Sequence, residues 1–232
     1  MDSLDPDDPD NRFLRSGATL ENIEKDFADW HQGRSHYYIW VLLIDDPQWH
    51  VALANAAWLL RPYLHCDYCR QPHITILPAG FLTSASIAIQ SLADICSQTP
   101  PITLQLGKLT SFTSAPYIAV EEPSMLVHRV RARLQEMAFD PDGVVMDHDY
   151  VPHLTVGIYN GTYPARDVMD CINKAPATAA EQTTVKYLTL ARYQTSTIKG
   201  RLEAVATAEF ETGKIQLHKQ HSLFSAWHPE AI

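Results

Sequence analysis

Glycine is scarce in this chain, nine residues of 232. None of them forms the glycine-rich loop that cradles a nucleotide's phosphates, and no Gly-x-Ser-x-Gly elbow is present. Nucleoside triphosphate hydrolysis and serine hydrolase chemistry therefore have no support. Cysteine is scarcer still: four residues are too few for a disulfide framework, and a reduced, cytoplasmic chain is expected. No apolar run has the length needed to span a bilayer and no secretory leader is recognisable, so no membrane partner is expected. Positive charge is also in short supply. The formal net charge is −9, of which Asp2, Asp5, Asp7, Asp8 and Asp10 carry −5 and the rest of the chain −4. A mildly acidic body lacks the broad basic field that duplex nucleic acid selects. Small nucleotides or RNA ends are the better-matched partners. The sequence does not give an oligomeric state.

What the chain does contain is one short pattern twice: Pro72-His73-Ile74-Thr75-Ile76 and Pro152-His153-Leu154-Thr155-Val156. Successive side chains of a strand point to opposite faces. His73 and Thr75 therefore share a face, as do His153 and Thr155, while Ile74, Ile76, Leu154 and Val156 line the buried side. Proline is tolerated at the first residue of a strand, where little pairing is lost. None of the other nine histidines is followed by threonine two places on. Two such strands facing each other present two imidazoles and two hydroxyls to one substrate. Imidazole titrates near neutral pH, so one serves as base and the other as acid. Threonine hydroxyls donate to anionic oxygens. The set suits phosphodiester chemistry without a metal or cofactor.

The doubled His-hydrophobic-Thr-hydrophobic pattern resembles the signature of the 2H phosphoesterase superfamily, the LigT-like or 2′-5′ RNA ligase group. The resemblance implies acid and base roles for His73 and His153 and phosphate binding by Thr75 and Thr155. It implies a metal-independent phosphodiesterase acting on 2′,3′-cyclic phosphates or on 2′-5′-linked or cyclic nucleotides. Two alternatives stand beside it: ligation, the same chemistry reversed at the 2′-5′ bond, and a non-catalytic module that only holds a nucleotide. Many LigT-like proteins carry an arginine soon after the second motif, whereas this chain reads Gly157-Ile158-Tyr159.

Along the chain, residues 1–17 are rich in Asp and Pro and are expected to form a disordered acidic tail. Thr19 is a candidate N-cap for a helix over 20–30. Residues 37–44 read as a strand buried on both faces. Asp46-Pro47 opens a helix, with proline at its first position. The first half then reads helix 47–60, strand 73–77, helix 84–97, and strands 102–107 and 116–121. The second reads helix 124–138, strand 153–158, helix 164–174, and strands 183–193 and 203–211. The motif histidines stand 80 residues apart, and the order of elements repeats with them. This predicts an α+β domain over 18–212 with two pseudo-symmetric lobes, about 36–121 and 124–212. Each lobe has an antiparallel sheet and flanking helices, and the cleft lies between them. Residues 213–232, with His218, His221, Phe224, Trp227 and His228, have no clear period. They form an extension, either a helix or a strap docked on a lobe.

Other residues have two readings each. His65, Cys66, Cys69 and His73 offer zinc ligands, but no second ligand pair is well spaced and the metal would take His73 away from catalysis; two incidental loop cysteines is the preferred reading. His128, Arg129, Arg131 and Arg133 ride on a helix whose core stripe is Val127, Val130, Leu134 and Met137; the arginines read as a solvated flank, with phosphate contact as the alternative. Gly157 and Tyr159 extend the face of His153, so the glycine leaves room for a ligand and Tyr159 either stacks on a base or packs at the strand end. Tyr38, Trp40, Tyr117, Arg192 and Tyr193 are weaker cleft candidates, because large aromatics on central strands are usually core. Asp147-His148-Asp149 reads as a polar loop rather than a metal site.

Overall fold

The computed structural model describes residues 8–23, 28–82, 86–137, 150–176 and 181–218. The elements in chain order are α1 (Pro9–Ser16), α2 (Ala28–His31), β1 (His36–Leu43), α3 (Pro47–Leu60), β2 (His73–Gly80), α4 (Ser86–Cys96), β3 (Ile102–Ser111), β4 (Pro116–Glu121), α5 (Leu126–Glu136), β5 (His153–Thr155), α6 (Ala165–Ile172), β6 (Gln182–Val185), β7 (Tyr187–Gln194), β8 (Glu203–Glu209) and β9 (Ile215–Leu217). They build an α+β molecule of two antiparallel sheets. One has the order β2-β1-β7-β8-β9 and the other β5-β4-β3-β6.

Local chemistry explains several boundaries. Asp46 accepts a hydrogen bond from the Gln48 amide at 2.9 Å and Pro47 occupies the first helical position, so α3 starts where the Asp-Pro pair places it. α6 buries Ala165, Val168, Met169 and Ile172, one stripe at helical spacing. In the first sheet Tyr38, Trp40, Leu42, Ile74, Leu188 and Leu190 form a core with Ile89 and Leu92 of α4 and Val130 and Leu134 of α5. The matching face of the second sheet, with Leu106, Ile118 and Leu154, meets Val168 and Ile172 of α6 in the same core. Each fully buried aliphatic side chain contributes on the order of 1.5–3 kcal/mol.

Four expectations are corrected. Residues 9–16 are a helix rather than a disordered tail: Asp8 caps it, Pro9 opens it, and Asp8 and Asp10 both pair with Lys108 on β3; residues 1–7 lie outside the described ones. Residues 20–23 are not helical, because Thr19 is used elsewhere; its hydroxyl donates to the Gly161 carbonyl at 2.9 Å and accepts from the Tyr163 amide at 2.8 Å. The run 183–193 is two strands, β6 and β7, broken at Lys186 and placed in different sheets. Finally, the sheets do not follow the halves 36–121 and 124–212. β3 and β4 pair with β5 and β6, and β1 and β2 with β7 to β9, because strand partners are chosen by nonlocal packing that element order does not encode. Within 213–232, β9 adds an edge strand on β8 and His218 bonds Thr207 at 3.0 Å. His148, His221, Phe224, Trp227 and His228 lie outside the described residues.

Candidate active site

β2 and β5, the strands of the two motifs, are the edge strands of their sheets and approach each other. In β2, His73 pairs with Leu43 and Thr75 with Val41. In β5, His153 pairs with Ala119 and Thr155 with Tyr117. Cross-strand partners share a face, so each sheet presents its histidine and threonine together, while Ile74 and Leu154 turn into the core.

The two copies match down to individual hydrogen bonds. The proline carbonyls of 72 and 152 accept from the amides of Ile44, just past β1, and Val120, in β4, at 3.1 and 3.0 Å. His73 Nδ1 donates to the Gln71 carbonyl at 2.8 Å, and His153 Nδ1 donates to the Val151 carbonyl at 2.7 Å. A carbonyl only accepts, so Nδ1 carries the proton in both neutral rings and Nε2 is left as the basic nitrogen. The residue before a proline is confined to extended backbone, which sets the tethering carbonyl in both copies. Among the described residues neither Thr75 nor Thr155 has a hydrogen-bond partner for its hydroxyl, so both remain available for an incoming acceptor.

Burial favours the neutral form of both rings. His73 is 6% exposed, and burial, assisted by the charges of Arg70 and His153, pushes its pKa down to about 4, against a raising contribution from the Gln71 carbonyl. Burial also lowers the pKa of His153, opposed by the Val151 carbonyl. The strands that carry the two rings, β2 and β5, are in contact. Around His153, Tyr117 and Phe112 stack at 4.0 Å, and both meet the imidazole edge-on at 5.3 and 5.0 Å. A cavity of about 240 Å³ opens beside them, lined by Pro9, Arg12 and Phe13 of α1 and by Phe112, Tyr117 and Val151.

Tyr150 links the two motifs. Its hydroxyl donates to the Thr75 carbonyl at 3.0 Å, and Arg131 lies 4.3 Å over its ring while donating to the Ile76 carbonyl. Arg131 is thus buried and structural, not part of a solvated flank. No sequence pattern flags Tyr150, because its partner is 75 residues away.

Five of the weaker sequence candidates do not reach this face. Tyr159 is fully buried and hydrogen-bonded to Ser111 at 2.6 Å, because the chain leaves the sheet after Thr155. Gly157 makes room for Leu64, not for a ligand: a Cβ there would stand 2.8 Å from Leu64 Cδ1. Tyr38 and Arg192 are register partners on the opposite face of the first sheet, where Arg192 is ion-paired with Glu203 at 2.7 Å. Trp40 also belongs to that face and is core. Tyr117 and Tyr193 do lie on the histidine-bearing faces. Cys66 and Cys69 are exposed, His65 Nε2 bonds the Asn22 carbonyl at 2.9 Å, and among the described residues no three His, Cys, Asp or Glu side chains cluster as a metal site. A larger cleft of about 720 Å³, lined by Val51, Trp58, Leu106, Leu109 and Ile118 among others, sits on the opposite face of the second sheet from His153. No helix among the described residues is long and apolar enough to cross a membrane.

The sequence profile of the 2′-5′ RNA ligase superfamily matches residues 45–197, which include both motifs. Among curated protein sequences none matches the chain. Among solved structures, the chain is similar to TT0787 of Thermus thermophilus, with a TM-score of 0.59 at 13% identity, covering 75% of this chain and 98% of that one. It is also similar to a protein described as a phosphoesterase, with a TM-score of 0.51 at 16% identity and coverage of 75% and 98%. At such identities these likenesses concern the fold.

Proposed function

Because the chain belongs to the 2′-5′ RNA ligase superfamily, we propose that it is a phosphodiesterase that hydrolyses 2′,3′-cyclic phosphates or 2′-5′-linked and cyclic nucleotides. The observation that carries this reading is the matched pair of Nδ1-tethered imidazoles beside two uncommitted threonine hydroxyls. One neutral imidazole takes a proton from water as the water oxygen bonds to phosphorus. The bond from phosphorus to the leaving ribose oxygen breaks, and the other ring, as imidazolium, protonates that oxygen. On a 2′-5′ linkage the attacking group is a ribose hydroxyl. Both rings favour the neutral form before substrate binds, and the anionic phosphate between them favours protonation of one, which then serves as the acid. Thr75 and Thr155 donate to the nonbridging oxygens, where negative charge grows in the transition state. Two imidazoles supply both proton transfers, so no metal is needed for the steps as written.

The test is a panel of 2′,3′-cyclic nucleotides, 2′-5′ dinucleotides and cyclic dinucleotides incubated with EDTA-treated protein. Turnover of at least one, unaffected by chelator, is the expected result. Binding without turnover would favour the nucleotide-holding module, and activity restored only by zinc would favour a metal reading at Cys66 and Cys69.

A further inference from the structure

Arg70 stands three residues before His73. Its guanidinium carbon lies over the Tyr193 ring, 4.3 Å from the centroid. Tyr193 pairs with Tyr37 on β1, and residues 37, 39, 41 and 43 of that strand share the face of His73 and Thr75. Arg70 therefore meets the histidine-bearing face of the first sheet at Tyr193, which packs against the cluster of Ile39, Val41 and Ala191. Its backbone is clamped on both sides. The Cys69 amide donates to the Lys199 carbonyl at 3.0 Å, and the Gln71 side chain both donates to the Leu202 carbonyl at 2.7 Å and accepts from the Leu202 amide at 3.0 Å.

Unlike Lys108, Arg192 and Lys199, each of which meets an aspartate or glutamate, Arg70 has no carboxylate partner among the described residues. Its Nε is buried and has no hydrogen-bond partner. A partly buried guanidinium N–H without a partner has lost solvation that a hydrogen-bond acceptor restores, an anion most strongly. Contact with the ring holds the guanidinium in place, and although the Tyr193 hydroxyl takes one of its five N–H donors, others remain for a planar or tetrahedral oxyanion. The positive charge also acts on His73, adding to the burial that lowers its pKa.

We propose that Arg70, positioned by Tyr193 and the 199–202 loop, binds a nonbridging oxygen of the substrate phosphate on the His73 side of the cleft. The proposal rests on the two-histidine reading for its place in a reaction, but its ligand chemistry, a phosphate anion, is tested without turnover. The experiment follows the imidazole signals of 15N-histidine-labelled protein by NMR through titrations with inorganic phosphate and with acid. In the wild type, phosphate perturbs and raises the His73 titration. In Arg70→Gln, phosphate affinity falls roughly ten- to hundred-fold, as expected for a lost charge-assisted hydrogen bond. The free-state His73 titration moves upward, because a repelling charge has gone. Arg70→Lys retains part of the affinity, since it keeps the charge and loses the fork. The melting temperature of Arg70→Gln stays level or rises, because a cation without a counter-charge has been removed; a fall in phosphate affinity accompanied by a lowered melting temperature would assign the residue a structural role and overturn the proposal. Phosphate binding that Arg70→Gln leaves unchanged, or no phosphate binding by the wild type, overturns it too. Should His73→Ala abolish turnover while Arg70→Gln binds phosphate normally, the two-histidine mechanism stands and only the Arg70 assignment fails.

Discussion

Residue by residue, the motif histidines and threonines differ in what their loss removes. His73→Ala or His153→Ala takes away a proton-transfer group, an effect of about 10²–10⁴ in rate. The double mutant is expected to be little worse than the more damaging single one, because groups acting in one turnover are non-additive. Thr75→Ala or Thr155→Ala costs one hydrogen bond to a charged oxygen, about 1.5–3 kcal/mol, and Thr→Ser is mild. Steady-state kinetics paired with thermal melts check this: full activity in both histidine variants would remove the mechanism. The depressed pKa of His73 has its own consequence for stability. The unfolded chain binds its proton near pH 6.5 and the folded one near pH 4, so the folded state is favoured fully above pH 6.5 and loses this contribution as pH falls towards 4. The loss amounts to about 3 kcal/mol. Urea unfolding of the wild type and His73→Gln across pH 4–7 measures it as the difference between the two curves; parallel curves would show that the ring is not desolvated in solution.

For the elements, legibility depended on whether the signal was local. Asp46-Pro47 marks the start of α3 in sequence and in structure, and Asp8-Pro9 is the same signal at α1, hidden by the acidic composition around it. β4 spans the expected 116–121. The face assignments of both motifs follow from alternation alone. The break at Lys186 had no such mark, since no glycine or proline interrupts the β-forming run there. Gly157 was legible as a close approach but not as to what approaches. Its neighbour is Leu64, which is buried, so Gly157→Ala overpacks that contact. The expected cost is about 1–3 kcal/mol, read as a lowered melting temperature, with the substrate KM of the folded fraction unchanged. A raised KM at unchanged stability would return Gly157 to the binding face.

For the whole molecule, the decisive fact was the least visible in the sequence. Each sheet takes strands from both parts of the chain, so β1 and β2 are completed only when β7 to β9 arrive. Neither half, 36–121 or 124–212, contains a whole sheet. Cooperative unfolding in one step is the expected outcome. Tryptophan fluorescence, which reports on the buried Trp40 and Trp49, and far-UV circular dichroism should give the same midpoint in urea; two separated transitions would mean that the sheets unfold independently.

The tether of each imidazole to a carbonyl two residues upstream bears on how freely this site tolerates sequence change. An orienting carboxylate is a side chain and is lost by a single substitution. Here the orienting group is main chain, supplied by whatever residue stands at 71 or 151, and its direction is imposed by the proline that follows. The side chain of Val151 is therefore expendable for tautomer selection, whereas Pro152 is not. A substitution that spares Pro72 and Pro152 leaves both ring nitrogens committed as before. The reactive pair is in this sense buffered against mutational drift in its own surroundings.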